Sequence, residues 1–413
     1  MILYERFVLD NGLRLIVHED KSTPMVTVNV TYDVGSRCES PEHTGFAHLF
    51  EHLMFGGSAN VLDFDGPIQD AGGENNAFTN TDMTNFYEVM PAKNVETALW
   101  LESDRMLHLK WSNKLLQTQK KVVIEEFKET CLNEPYGDMW HHLSALCYQT
   151  HPYQWPTIGK EMSHISNATL EQVEEFYYQY YRPDNAVIVL AGNISTTEAL
   201  RLVKKWFSDI PRGNYQKPPL PQELAQQGFR QKELIQDVPH EAIYQGYHMA
   251  ARMSDQYYAC DLLSDVMSNG RSSRFYQRLY KEKQLFSTID AFISGTSDPG
   301  LFIIEGKTMP EVSLDVARKE IYVELDYLKQ DRISDNELTK LKNSVESSLE
   351  FSEVSIHNKG ISLAYFEILG DANLINQEAE RFHNVTSEDI RQAAEDVFRM
   401  DNCSELTYRL KEG

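Results

Sequence analysis

Two histidines four residues apart, with a glutamate directly before the second, form the group in this chain with the clearest chemical capability: His48-Leu49-Phe50-Glu51-His52. On a helix, residues at i and i+4 share a face with Cβ atoms about 6 Å apart, so both imidazoles can aim a ring nitrogen at one ion. Glu51 then sits beside that ion, where a carboxylate can take a proton from polarised water. The flanks Phe46-Ala47 and Leu53-Met54-Phe55 are apolar, and burying imidazoles and a carboxylate among them is costly without a metal or another partner. Imidazole suits zinc, and a catalytic zinc takes three protein ligands. The run from Lys120 to Glu129 offers three carboxylates, Glu125, Glu126 and Glu129, on an apolar-striped helix. Spacing alone does not choose among them.

The elements that must position these groups alternate along the chain. Residues 14–17, 26–32 and 186–190 read as strands, 76–90 as a hairpin, and 46–55, 95–107, 113–129 and 170–180 as helices. From Pro211 to Pro221 proline and polar residues concentrate, which stops a helix and extends the backbone. The run Thr169-Leu170-Glu171-Gln172-Val173, followed by Asp184-Asn185, returns as Thr386-Ser387-Glu388-Asp389-Ile390, followed by Asp401-Asn402. Each half therefore ends in a capped helix and a strand. The expected fold class is α+β, with two homologous lobes that each pack helices on a mostly antiparallel sheet. The boundaries expected are an N-terminal metal-bearing lobe at 1–212, a linker at 213–228, and a C-terminal lobe at 229–413 without a metal motif.

A length of 413 residues suits two domains, and 41% hydrophobic residues suit a globular chain. The formal charge of −23 argues against nucleic acid, which needs a basic surface to release counterions. An acidic surface serves solubility and attracts basic peptides. Five cysteines, odd in number and without C-x-x-C pairs, argue against a disulfide framework or a cysteine zinc site. No apolar run approaches the ~18 residues that cross a bilayer, so no membrane association is expected. With no secretory pattern at the start, the expected location is cytoplasmic.

The sequence resembles the pitrilysin and insulinase family of zinc peptidases, which includes the mitochondrial processing peptidase. The H-x-x-E-H order is the inverted zinc-peptidase motif. The resemblance extends to Gly72-Gly73-Glu74-Asn75-Asn76-Ala77-Phe78-Thr79, to Val122-Val123-Ile124-Glu125-Glu126, to His151-Pro152-Tyr153 with Gly159, and to Tyr181-Arg182-Pro183-Asp184-Asn185. It implies zinc held by His48, His52 and Glu126, with Glu129 as the fallback third ligand and Glu51 as the base. It also implies that Asn76, Ala77, Phe78 and Thr79 form an edge strand to which an extended peptide adds. Where many members carry a supporting glutamate two helical turns before the third ligand, this chain has Gln119.

Laid on the first-half motif, the second half has Asp261, Ser264 and Asp265 in place of His48, Glu51 and His52. The resemblance also implies an arginine and a tyrosine, seven residues apart in the second lobe, that hold the substrate carbonyl. Here Tyr280 and Ser287 stand at those places, with Lys281 beside the first. In paired members one chain supplies the metal and another supplies the arginine and tyrosine. The expectation is a zinc endopeptidase that cleaves unfolded peptides or small proteins in a closed chamber, as the metal-bearing subunit of a heterodimer or homodimer. The alternative is a non-catalytic peptide-binding or scaffold subunit of the same fold.

Overall fold

The computed structural model describes residues 1–214 and 216–411; Tyr215 of the expected linker and residues 412–413 at the end of the expected second lobe lie outside them. The fold is two-lobed α+β, with one mixed sheet in each of two compact units. The first unit comprises Met1–Phe127, Trp155–Leu220 and Glu350–Gln377, and the second Lys128–Gln154, Pro221–Leu349 and Glu378–Gly413. The expected boundaries divide the chain at one place, whereas these units also exchange two segments. Helix Ile356–Leu369, from the later half, lies on the first unit's sheet, and helix Met139–Cys147, from the earlier half, lies on the second's.

The first sheet contains β1 (Glu5–Val8), β2 (Arg14–Glu19), β3 (Met25–Tyr32), β4 (Glu74–Thr79), β5 (Thr84–Pro91) and β6 (Ala186–Gly192), in the order β1-β2-β6-β3-β5-β4. The second contains β7 (Arg230–Gln236), β8 (Ala242–His248), β9 (Phe286–Ile293), β10 (Leu301–Thr308) and β11 (Cys403–Leu410), in the order β7-β11-β8-β10-β9. Each sheet has one parallel pair, β2 with β6 and β7 with β11; the other pairs are antiparallel. Central β6, Ala-Val-Ile-Val-Leu-Ala-Gly, is buried at every residue, as a strand covered on both faces must be.

The repeat read from sequence extends to individual hydrogen bonds. Thr169 and Thr386 each close a capping box, with Gln172 and Asp389 respectively. Asn185 donates to the carbonyls of Tyr180 and Asp33, and Asn402 donates to those of Val397 and His248. Each asparagine so ties a helix end to the strand beside the one it precedes. Register carries the match to the sheet edges, because Thr79 pairs with Thr84 and Ile293 with Phe302, while Tyr32 pairs with Thr84 and Tyr247 with Phe302. Asn76-Ala77-Phe78-Thr79 of β4 therefore corresponds to Asp290-Ala291-Phe292-Ile293 of β9. Both are edge strands.

Candidate metal centre

The motif helix, Phe46–Met54, buries Phe46, Ala47, Leu49, Phe50, Leu53 and Met54. Positions 46, 49, 50, 53 and 54 form a helical stripe facing the core, which leaves His48, Glu51 and His52 together on the opposite side. Phe50 fixes the helix by stacking on Tyr181 and Phe176, with ring centroids 4.9 and 5.4 Å away. At the helix start Gly45 has φ +85°, and a Cβ there would stand 2.7 Å from the Ile158 carbonyl oxygen. Only glycine meets both conditions.

No side chain at Gly45 can cap this helix, and buried Glu39 does so from upstream. Its Oε2 accepts the Gly45 N–H at 2.9 Å and its Oε1 the Ala47 N–H at 2.8 Å. Burial pushes the Glu39 carboxyl up to about 8, against the pull of those two donors. Glu39→Ala leaves two helix-start N–H groups unsatisfied, and the expected cost is about 1–3 kcal/mol, read from denaturant unfolding. A stability unchanged from the parent would remove Glu39 from this role.

The third group comes from helix Asn113–Phe127, which buries Leu116, Lys120, Val123 and Phe127. Lys120 is held inside by donating to the Ala168 carbonyl at 2.9 Å. Glu126 lies on the flank of that stripe. His48 Nε2 is 3.2 Å and His52 Nε2 3.3 Å from Glu126 Oε2, and the two ring nitrogens are 3.3 Å apart. Tetrahedral zinc with ligands at 2.0–2.1 Å requires ligand–ligand separations of about 3.3 Å, and His2Glu is an established catalytic zinc donor set. The three residues fit that ion by both distance and chemistry. They are also the one such group of histidine, cysteine and acidic side chains among the described residues.

Glu51 Oε2 stands 3.6 Å from His48 Nδ1. Burial opposes its ionisation, but His48 and Thr79 hold its carboxyl below its ordinary value. The buried Thr79 hydroxyl, on β4, contributes to this without a hydrogen bond of normal geometry. Glu126 is held well below the ordinary carboxylate range by hydrogen bonds with His48 and then His52. For His48 burial favours the neutral ring, yet its bonds to Glu126 and Glu51 raise it to about 9.

Since the His48 value is raised above the ordinary 6.5, its imidazolium stabilises the metal-free fold fully below pH 6.5, and this contribution is lost as pH rises through about 9. A metal must displace the same proton. Zinc affinity is expected to fall about tenfold per pH unit lowered from 8.5 to 6.5, measured by competition with a zinc-binding dye. Affinity independent of pH over that range would contradict it.

The other residues singled out from sequence are placed as follows. The α-helix ends at Phe127, and Lys128–Asn133 winds as a π-helix, so exposed Glu129 leaves the α-helical register that would set it beside Glu126. It is outside the cluster. Gln119 lies half-buried seven residues before Glu126 on the same helix. Asn76, Ala77, Phe78 and Thr79 are in β4, which among the described residues pairs only with β5. The turn bond from Asn80 N–H to the Met83 carbonyl sets the alternation, so Asn76 and Phe78 bond β5 while Ala77 and Thr79 turn their backbone groups to the open edge. The Ala77 N–H is met by its neighbour's Asn76 Oδ1 at 2.8 Å.

In the second unit Asp261 and Asp265 lie on helix Asp255–Ser268, and burial raises both carboxyls, Asp261 to about 7. Tyr280 is exposed in the π-helical stretch Phe275–Glu282 and stacks on Tyr276 at 5.1 Å. Ser287 is in β9 and donates to the Lys307 carbonyl at 3.1 Å. Glu39 was not legible as a site residue from sequence. The available signal was a helix that starts at glycine, without a Ser, Thr, Asp or Asn cap, after an upstream acid.

The family described as Insulinase (Peptidase family M16) matches residues 14–161, and that described as Peptidase M16 inactive domain matches residues 167–345. The zinc protease PqqE of Helicobacter pylori is 29% identical over 403 residues, covering 96% of this chain and 90% of that protein. The uncharacterized zinc protease YmxG of Bacillus subtilis is 26% identical over 392 residues, covering 91% and 93%. The crystal structure of a protease from Helicobacter pylori superposes with a TM-score of 0.95 at 26% identity, covering 99% of this chain and 100% of that one. With both of the family's domains matched in order and zinc proteases as relatives along nearly its whole length, the chain belongs to peptidase family M16.

Proposed function

We propose that this protein is a zinc-dependent endopeptidase acting on unfolded peptides or small proteins within a closed chamber. The observation that carries the reading is the triangle of His48, His52 and Glu126 atoms with sides of 3.2–3.3 Å. A zinc ion there supplies Lewis acidity toward a peptide carbonyl and acidifies water. Glu51, kept ionised and beside the triangle, takes the proton from the attacking water. The open edge of β4 holds the peptide extended through the backbone groups of Ala77 and Thr79, once Ala77 N–H exchanges its Asn76 side-chain partner for the substrate.

The chain's second half lacks the arginine and tyrosine that the family resemblance implies, so this reading includes a second family subunit that supplies them in a heterodimer; the alternative is a homodimer, which works without that pair. An odd number of cysteines without C-x-x-C pairs supports a reducing cytoplasm as its location. Among the described residues no helix is long and apolar enough to cross a membrane.

A second reading, a non-catalytic peptide-binding or scaffold subunit, is favoured by the match of residues 167–345 to the domain described as inactive. Digestion of an unstructured peptide by the protein co-purified with any stoichiometric partner, with and without a chelator, separates the two. Hydrolysis lost with the chelator and restored by zinc is the expected result; no hydrolysis in zinc-replete material establishes the second reading. Robust turnover by the isolated monomer would dismiss the partner.

A further inference from the structure

Three ionisable side chains meet inside the first unit with almost no access to water. Glu88 of β5, and Glu102 and Arg105 of helix Val95–Leu107, have side chains at most 1% exposed. Arg105 gives its fork to Glu102, with Nε donating to Oε2 at 2.8 Å and Nη2 to Oε1. Glu88 Oε1 is 3.7 Å from Arg105 Nη2, beyond hydrogen-bonding distance. Neither Glu88 oxygen, nor Arg105 Nη1, has a hydrogen-bond partner among the described residues. The guanidinium lies 4.2 Å from the ring centroids of Phe64 and Phe86, and 5.6 Å from that of Phe55, the residue that ends the motif helix.

The second unit builds the same layer without this cluster. Val28 pairs with Glu88 as Ile243 pairs with Gly306, so the strand register that matches Thr84 with Phe302 matches Glu88 with Gly306. In the helices, buried Val95, Ala98, Glu102, Arg105 and Met106 are matched by Leu314, Ala317, Ile321, Glu324 and Leu325. Glycine and isoleucine thus replace both carboxylates, and the remaining Glu324 takes Arg278 as its partner at 2.6 Å. Packing of the fold does not require two acids here.

We propose that the cluster holds one proton at neutral pH, on Glu88, and so makes the first unit's stability fall as pH rises. One guanidinium offsets one carboxylate, and Glu102 already occupies it through two hydrogen bonds. A second ionised carboxylate in the same dry place is uncompensated, which is costly. A proton removes that charge and turns one Glu88 oxygen into a donor for Glu102. Burial first, then the charge of Glu102 and a hydrogen bond with it, push the Glu88 carboxyl well above its ordinary range, against the pull of Arg105. From β3 the Tyr32 hydroxyl faces the same three groups, and burial keeps it neutral. Asp104, beside Arg105, is engaged elsewhere, by Ser58 and Asn60. Because the folded Glu88 value lies above the ordinary 4.5, its contribution to stability is complete below pH 4.5 and is lost as pH rises toward the folded value. In that window unfolding releases one proton, and the unfolding constant rises about tenfold per pH unit. None of this rests on the zinc peptidase reading.

Denaturant unfolding of the zinc-free full chain and of Glu88→Gln, at pH 6 and at pH 8, tests it. Tryptophan fluorescence reports mainly the first unit, which holds Trp100, Trp111, Trp155 and Trp206. Glutamine is neutral, keeps the shape of the protonated acid and can donate to Glu102. The unfolding constant of the parent relative to the variant is therefore expected to rise about 100-fold from pH 6 to pH 8, with groups common to both proteins, His48 among them, cancelling in the ratio. Glu102→Gln leaves Glu88 alone with Arg105, so it is expected to lose the same pH dependence, and it reads the same proton should Glu88→Gln fail to fold. A parent-to-variant ratio that does not change with pH would overturn the proposal. So would a Glu88→Gln protein about 100-fold or more less stable than the parent at both pH values, the result of removing an ionised partner from a buried pair.

Discussion

Glu51→Gln is expected to retain bound zinc and to lose peptide hydrolysis by about 10²–10⁴-fold, the usual contribution of a positioned general base. Glutamine keeps the length and shape of the side chain, so it can keep the place 3.6 Å from His48 Nδ1. What it loses is the ability to accept a proton. Glu51 is suited to that task because His48 and Thr79 keep it ionised despite burial, and because the apolar stripe of the motif helix turns it to the same side as both histidines. Metal content measured beside turnover makes the result specific. Loss of zinc along with activity would show that Glu51 supports the metal instead, and undiminished hydrolysis would remove it as the base.

Glu126→Ala is expected to weaken zinc binding by more than about 100-fold, beyond the 10–100-fold typical of losing a residue behind a ligand. Two imidazoles alone make an incomplete site, since catalytic zinc takes three protein ligands. The paired control is Glu129→Ala, which is expected to bind zinc as the parent does, because the π-helical turn removes Glu129 from the cluster. Equilibrium dialysis against zinc reads both. Equal losses in the two variants, or a loss in Glu129→Ala alone, would show that the carboxylate has been misassigned.

Much of this site could be read from the amino-acid sequence, for a reason visible in the motif helix. A stripe at 46, 49, 50, 53 and 54 determines which residues face away from the core, so the grouping of His48, Glu51 and His52 is a local property of one short segment. The third group is a different case. Glu125, Glu126 and Glu129 all belong to one run, and the choice depends on how two helices cross and on a switch from α to π winding after Phe127. Neither is encoded in local spacing; the family resemblance pointed to Glu126.

The exchange of helices was beyond local reading as well. Met139–Cys147 and Ile356–Leu369 have buried faces, but a buried face does not tell which sheet covers it. The duplication was partly legible, since Thr169 and Thr386 repeat with their following Asp-Asn pairs. Its extension to β4 and β9 emerged only from strand register, because the segments between them differ in length. Glu39 is not legible from the sequence because a cap normally comes from the residue that begins the helix, and here that residue is Gly45.

X-ray diffraction from crystals of the zinc-loaded protein, recorded on both sides of the zinc absorption edge, tests the central claim most directly. The expected result is one anomalous peak about 2.0–2.2 Å from His48 Nε2, His52 Nε2 and a Glu126 carboxylate oxygen. The absence of a peak among these three atoms in zinc-loaded crystals, or a peak held by other side chains, would contradict it.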